Sequence, residues 1–162
     1  MKIEDLKIIR LKPDDWLECK NISLEMLKLE PGAFYPTYEK VYKYPNKHWR
    51  DKLRDKNEIY LFAKSDNKII GSINANLEEA NEKKDVAVIH GTYVNNFYRG
   101  KGVGKRLVKE LLREIKKNKK IKRIKLWIKE TQIPARHIYE LMGLSFTKRV
   151  GEHTLIMEKQ LK

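Results

Sequence analysis

The sequence predicts one α/β (α+β) domain built around a mixed, mostly antiparallel sheet. A chain of 162 residues has the size of one ordinary domain, and 41% hydrophobic residues are enough to form a core. Strand-like and helix-like apolar patterns follow one another in the order β-α-α-β-β-β-α-β-α-β-β, which is not the regular alternation of a doubly wound fold. No repeat or low-complexity linker divides the chain. We therefore expect a single domain over residues 1–162.

The first part of the chain is predicted to contain one strand and two helices. The strand covers residues 6–11, and the pair Asp14–Asp15 then caps a helix that Pro31–Gly32 ends. A tyrosine-rich segment over residues 33–45 is predicted to be irregular, and a second helix covers residues 47–55. These elements precede the central strands.

Three strands are predicted next. The first two cover residues 59–63 and 69–76 and form a hairpin around the turn at residues 65–67. The third covers residues 86–94. Gly91 inside this strand predicts a β-bulge, because glycine weakens a regular strand and is tolerated where the backbone bends.

The most regular helix of the sequence begins in a glycine-rich loop. Its apolar residues recur with a period of about 3.6, as expected for a helix packed on a sheet. These residues are Val103, Leu107, Val108, Leu111, Leu112 and Ile115. A strand over residues 121–128 follows, then a short helix over residues 134–142 that Gly143 ends. Residues 144–148 and 154–157 are predicted to close the chain as a hairpin.

Composition restricts the classes of function. The formal net charge is +14, and residues 99–125 contain 13 lysines or arginines against two acids, Glu110 and Glu114. The basic helix in this range and its flanks form either a solvated surface or a positively charged surface that binds a phosphorylated ligand. Cys19 is the only cysteine, and no set of histidines and carboxylates has metal spacing, so no metal is expected. The absence of a long apolar run predicts a cytoplasmic protein without a membrane partner.

The glycine loop, residues 99–104 (Arg-Gly-Lys-Gly-Val-Gly), is predicted to bind phosphate groups. It links a strand to a helix, and the N–H groups at a helix N-terminus have no internal partners and attract anions. A Walker loop is excluded because its first glycine would fall on Arg99, and Arg106 follows Lys105. A dinucleotide fingerprint is excluded because it would require glycine at position 105. A tight turn without a ligand is the alternative interpretation.

Two motifs carry a family resemblance. Residues 98–104 resemble the acetyl-CoA loop of the GNAT N-acetyltransferase superfamily, whose pattern is Arg/Gln-x-x-Gly-x-Gly/Ala at the start of a helix. Residues 132–146 are similar to the family stretch Asn-x-x-Ala-x-x-x-Tyr-x-x-x-Gly-Phe, and residues 30–49 resemble the acceptor-side helices of uncharacterised members. The resemblance implies a GNAT fold and an acetyl-CoA-dependent N-acetyltransferase of the type that acts on ribosomal proteins or small amines.

The resemblance also implies roles for individual residues. Tyr139 is implied to protonate the leaving thiolate. The residues implied to bind acetyl-CoA are Thr92, Tyr93, Val94, Arg99, Gly100, Lys101, Gly102, Val103, Gly104, Lys105, Gln132 and Tyr139. The family often has asparagine where this chain has Gln132. The glutamate that serves as general base in several members aligns with Val88, so that carboxylate is absent.

His90 is the candidate for the base that deprotonates the acceptor. Strand alternation places it on the face of Val88, provided that the bulge at Gly91 does not intervene. The ordinary pKa of histidine, about 6.5, suits proton transfer. A structural histidine is the alternative interpretation, and His48, His137 and His153 have weaker claims.

The expected reaction is direct attack of a primary amine, on a protein or a small molecule, on acetyl-CoA in a ternary complex. Two alternatives stay open: an acyl-CoA-binding GNAT-fold protein without catalysis, and a nucleic-acid-binding module that uses the basic helix at residues 101–123. Nucleic acid is the less expected partner, because no helix-turn-helix pattern is found. The identity of the amine is undetermined, and a homodimer is left open. The tyrosine-rich segment at residues 35–44 is the candidate wall of the acceptor site.

Overall fold

A computed structural model describes residue 3 and residues 5–77 and 84–162. Within these residues, seven strands form one sheet in the order β1-β2-β3-β4-β5-β7-β6, and only β4 and β5 of them pair in parallel. The mixed, mostly antiparallel sheet is therefore confirmed. The segment that contains Glu78, Glu79 and Glu82 lies outside the described residues.

The elements have the following bounds. The strands are β1 (Lys7–Ile9), β2 (Glu58–Ser65), β3 (Lys68–Asn76), β4 (Val86–Val94), β5 (Arg123–Lys129), β6 (Ser145–Val150) and β7 (Thr154–Gln160). The helices are α1 (Trp16–Leu29), α2 (Tyr38–Tyr42), α3 (Asn46–Arg54), α4 (Val103–Lys117) and α5 (Ile133–Leu141). Short 3-10 turns at Pro13–Asp15 and Asn96–Tyr98 precede α1 and the glycine loop.

Three expectations of local structure are corrected. The segment at residues 33–45 is not wholly irregular, because it contains α2. The first strand is three residues long instead of six, since only Lys7–Ile9 pair with β2. Asp15 occupies the N-cap position of α1 without a capping bond; its carboxylate accepts a hydrogen bond from the Lys12 N–H at 3.0 Å instead.

The sheet separates two groups of buried side chains. On one face, α4 packs its apolar stripe (Val103, Leu107, Leu111, Ile115) against residues of β2, β3 and β5. On the other face, α1, α2 and α3 cover Tyr60, Phe62 and Tyr93. Successive side chains of a strand point to opposite faces, so each central strand supplies both groups. The polar residues of the second face form the floor of the site described below.

The centre of the sheet opens between β4 and β5. These strands pair only over Val86–Val88 and Arg123–Lys125 and diverge beyond them. In β4, Tyr93 lies opposite Ser72 and His90 lies opposite Asn74, so β4 has one extra residue over this interval. The predicted bulge at Gly91, whose φ is 53°, is therefore confirmed. Because the bulge comes after His90, His90 and Val88 share one face, as Asn74 and Asn76 opposite them do.

Candidate functional site

The glycine loop joins β4 to α4 with two residues in the left-handed region. Gly100 and Gly102 have φ values of 71° and 82°, which favour glycine over every other residue. A Cβ atom added to either would meet no heavy atom within 4 Å. A Cβ at Gly104 would lie 3.2 Å from the Ile138 side chain. The first two glycines thus leave open space above the backbone, whereas Gly104 allows α4 to pack against α5.

Arg99 connects this loop to the rest of the protein. Its Nε donates to the Val94 carbonyl at 2.8 Å, and its guanidinium pairs with Glu30 at 2.5 Å. The guanidinium also lies over the ring of Tyr93. Lys101 likewise donates to a backbone carbonyl, that of Phe97, at 3.1 Å. Both side chains therefore fix the loop in place, and the backbone of the loop faces the open space.

Two acids of the α1 region hold the end of β4. Glu25 Oε1 accepts hydrogen bonds from the Tyr93 hydroxyl at 2.9 Å and from the Asn95 amide at 2.6 Å. Asn95 in turn accepts the Phe97 N–H at 3.1 Å and so caps the 3-10 turn. Glu30 holds Arg99. The strand end and the glycine loop are thereby anchored to α1 at two points, which the sequence did not indicate.

Tyr139 on α5 reaches β4 at the point where the sheet opens. Its hydroxyl is hydrogen-bonded to Thr92 Oγ1, and the side chain is 5% exposed. Burial raises the pKa of Tyr139 to about 12, although the bond to Thr92 opposes the shift. The phenol therefore keeps its proton at neutral pH. A buried O–H group at this position can donate a proton to an anion that forms beside it.

A cleft of about 500 Å³ lies between the sheet and α1, α2 and α3. Thr92 and Tyr139 line one end of it, and His90 and Gly91 lie beside them. Aromatic side chains form much of the wall: Phe34, Tyr35, Tyr44, Trp49, Tyr60 and Trp127. Of the predicted wall segment at residues 35–44, Tyr35, Pro36, Val41 and Tyr44 line this cleft. Aromatic faces attract cationic groups, so the cleft suits an amine.

Charged groups in the cleft are few. Among the described residues that line it, Lys52 is the one lysine and Glu58 is the one carboxylate. His48 is also on the wall, but burial and the nearby Lys52 lower the pKa of this histidine, which keeps it neutral. Glu58 accepts a hydrogen bond from the Asn74 amide at 3.1 Å. The Lys52 ammonium lies 4.9 Å from the centre of the Tyr60 ring.

The predicted site residues are brought together in two neighbouring groups. Thr92, His90, Tyr139 and Gln132 all line the cleft. Gln132 is the N-cap residue of α5, and its side chain accepts the Lys129 N–H at 3.1 Å. Residues 99–105 do not line it; they form the glycine loop beyond Val94 and the first turn of α4. Tyr93 turns its side chain into the core, where it is 2% exposed, so only its backbone is available to a ligand.

Some residues of the cleft were not expected from the sequence. Glu58, Asn74 and Lys52 come from three different elements, and His48 had only a weak claim. The alternation of Glu58, Tyr60 and Phe62 was visible as a signal, since it places these side chains on one face of β2. Whether this face of the sheet is covered or lines a cleft depends on helices that are far away in sequence. Glu25 is hydrogen-bonded to Tyr93 of β4 and Glu30 pairs with Arg99 of the glycine loop, and neither carboxylate lines the cleft.

Other kinds of site receive no support from the part of the chain that the structure describes. No group of three or more potential ligands there has the geometry of a metal site. No helix among these residues is long and apolar enough to cross a membrane.

Comparison with known proteins identifies a family. The sequence model of the "Acetyltransferase (GNAT) family" matches residues 23–144 of this chain. A protein of Bacillus subtilis subsp. natto (strain BEST195) named "Probable spermine N(1)-acetyltransferase" is 33% identical over 69 residues, which are 41% of this chain. The match spans about half of that relative, 45% of its length.

Solved structures share the fold over nearly the whole chain. PaiA N-acetyltransferase from Thermoplasma acidophilum, in complex with coenzyme A, superposes with a TM-score of 0.76 at 21% identity and covers 97% of this chain and 99% of its own. YncA from Salmonella typhimurium, with acetyl-CoA, gives a TM-score of 0.79 at 14% identity and covers 98% and 95%. At these identities the comparison concerns the fold.

Proposed function

The chain belongs to the acetyltransferase (GNAT) family, and from that premise we propose that it transfers the acetyl group of acetyl-CoA to a primary amine in a ternary complex. The observation that carries the proposal is the hydrogen bond between Thr92 and Tyr139. It places a buried, protonated phenol where β4 and β5 diverge, between the glycine loop and the aromatic cleft.

The glycine loop fits the phosphate groups of acetyl-CoA. Space is open above Gly100 and Gly102, and the N–H groups that begin α4, those of Val103, Gly104 and Lys105, have no partners within the helix. We propose that these groups hold the pyrophosphate, with Arg99 and Lys101 fixing the loop. The backbone of Thr92, Tyr93 and Val94 would hold the pantetheine arm in the gap between the strands, and Gln132 would contact it from α5.

The reaction requires a nucleophile and a proton donor. Acetyl-CoA supplies a thioester carbonyl that the amine attacks, so that a C–N bond forms, the C–S bond breaks and coenzyme A leaves. In our proposal the Tyr139 hydroxyl donates its proton to the departing sulfur. A backbone N–H near Val94 stabilises the negative charge that develops on the carbonyl oxygen. The two binding regions hold both reactants in one orientation.

His90 is proposed to accept the proton that the amine must lose. It shares the cleft with Thr92 and Tyr139, and it lies on the face of β4 that the cleft exposes. Val88, where a carboxylate could have served, is fully buried and apolar. A base two residues further along the strand projects from the same face.

The relatives support an amine acceptor. One of them is named for acetylation of spermine, and the aromatic cleft of this chain favours cationic groups. We further propose that residues 1–162 act as one catalytic domain, since a single sheet draws strands from Lys7 to Gln160. A cytoplasmic location stays a prediction from the sequence.

A transfer assay tests this proposal. The protein is incubated with acetyl-CoA and a panel of amines, coenzyme A release is followed with a thiol reagent, and products are identified by mass spectrometry. We expect release that depends on the amine and a product that carries one added acetyl group. Binding of acetyl-CoA without any amine-dependent release would contradict transfer and favour a binding protein.

A further inference from the structure

The face of the sheet beneath α1 and α3 carries polar residues that the proposed chemistry does not use. Asn74 of β3 pairs with Tyr60 of β2 on one side and with His90 of β4 on the other. One step along the strands, Asn76 pairs with Glu58 and with Val88. Residues directly opposite in a sheet share a face, so Glu58 and His90 project from the same surface.

Glu58 has a defined position in the cleft. The Asn74 amide donates to its Oε2 at 3.1 Å, and Asn74 is itself buried. Glu58 is the only carboxylate among the described residues that line the cleft. A partly buried carboxylate is stabilised best by a cation that completes its hydrogen bonds. An ammonium group of a bound amine is such a cation.

We propose that Glu58 binds an ammonium group of the acceptor other than the nitrogen that is acetylated, so that the preferred acceptor is a diamine. The inference rests on the proposed transfer reaction. Neighbouring strands are about 4.8 Å apart, so the backbone of β2 lies about 10 Å from that of β4. In the bound acceptor, several bonds must therefore separate the ammonium group held by Glu58 from the nitrogen placed beside Thr92 and Tyr139.

The other residues of the cleft limit the number of positive charges. Lys52 lies on the same wall, with its ammonium over the Tyr60 ring, and it repels further cations. His48 adds no charge at neutral pH, since its pKa is lowered. Glu58 can therefore neutralise one ammonium group of the acceptor. A monoamine has no second ammonium group for Glu58 to bind. The third ammonium group of a triamine would be repelled by Lys52. This arrangement therefore favours a diamine over both.

The test compares putrescine with butylamine, which has the same carbon chain and one amino group. We expect kcat/KM of the natural protein to be about tenfold or more higher for putrescine, because a charge-assisted contact has about that effect. Glu58→Gln keeps the hydrogen bond from Asn74 and removes the charge, so the ratio is expected to approach one, mainly through KM. The control Glu39→Gln removes the same charge from an exposed position on α2 and should keep the ratio.

Calorimetric titration of putrescine into the protein with coenzyme A gives a readout independent of turnover. Putrescine binding that is weakened about tenfold by Glu58→Gln, and not by Glu39→Gln, supports the subsite. If putrescine binds in this way but no amine is acetylated, the transfer reaction is contradicted and the subsite stands. Acetylation of both amines with equal kcat/KM, or a putrescine preference that survives in Glu58→Gln, overturns the subsite while transfer stands. Spermidine as the better substrate, unaffected by Lys52→Met, would overturn the limit to two amino groups.

Discussion

The hydroxyl of Tyr139 and Oγ1 of Thr92 are joined by a hydrogen bond across the opening between α5 and β4. Their positions in sequence differ by 47 residues, and each comes from an element that borders the gap between β4 and β5. This contact places one protonated group between the glycine loop and the aromatic cleft. The proposed proton transfer from Tyr139 to the departing sulfur depends on it.

Replacing Tyr139 by phenylalanine is expected to lower kcat by about 10²-fold, because a positioned general acid contributes at least that factor. The KM for acetyl-CoA should change little, since the ring still packs in the core. Steady-state kinetics measure both quantities. Tyr38→Phe, on α2 and outside the cleft lining, is the control and should keep the natural rate. A Tyr139→Phe protein with full activity would exclude this residue as the acid.

Replacing His90 by glutamine is expected to lower kcat by about 10²-fold, since the amine then lacks its proton acceptor. The matched control is His137→Gln, because His137 is an exposed histidine on α5. Rates should be measured over a range of pH. If His90 is the base, the loss should shrink as the pH rises and more of the amine is already neutral. A loss of the same size at every pH would indicate a structural role for this residue.

Alkaline pH is expected to destabilise the fold through Cys19. Burial raises the pKa of this thiol from 9.0 to about 11, so the unfolded chain loses its proton first. The stabilisation is complete below the unfolded pKa and is lost as the pH rises through the folded one. The free energy of unfolding should be measured with denaturant at about pH 8 and about pH 10.5. Its decline between these two pH values should be roughly 1–3 kcal/mol smaller in Cys19→Ala than in the natural protein. An equal decline in both proteins would contradict this cause.

Gly71 is expected to tolerate no side chain, because a Cβ there would lie 2.7 Å from the Tyr93 carbonyl oxygen and 3.3 Å from the Leu107 side chain. Gly71→Ala should cost about 2–3 kcal/mol of unfolding free energy by overpacking β3 against β4. Gly151→Ala, where the added atom has open space but φ is 66°, measures the cost of a left-handed alanine alone, about 1 kcal/mol. Equal costs would show that the strands separate without penalty.

Local features of the fold and the site could be predicted from the sequence. The hairpin turn at Asp66 and Asn67, both with positive φ, follows from the preference of asparagine and aspartate for that region. The glycine loop and the stripe of α4 depend only on neighbouring residues, and the bulge at Gly91 was signalled by one glycine inside a strand.

Long-range features could not be predicted. The pairing of Arg99 with Glu30 spans 69 residues, and nothing near Arg99 in sequence indicates that α1 would hold the loop. Glu58 lines the cleft together with residues that are far from it in sequence, such as Ser23 and Tyr139. The short helix α2 lies in a segment whose prolines indicate turns, and its burial of Val41 outweighs that local preference.

Calorimetric titration of acetyl-CoA into the natural protein, Gly102→Glu and Gly151→Glu tests whether the glycine loop binds the cofactor. Both variants place a glutamate at a glycine with positive φ and open space, but only Gly102 lies in the loop proposed to bind phosphate. We expect low-micromolar or tighter binding to the natural protein and to Gly151→Glu, and no binding to Gly102→Glu. Equal binding by all three proteins, or none by the natural protein, would contradict it.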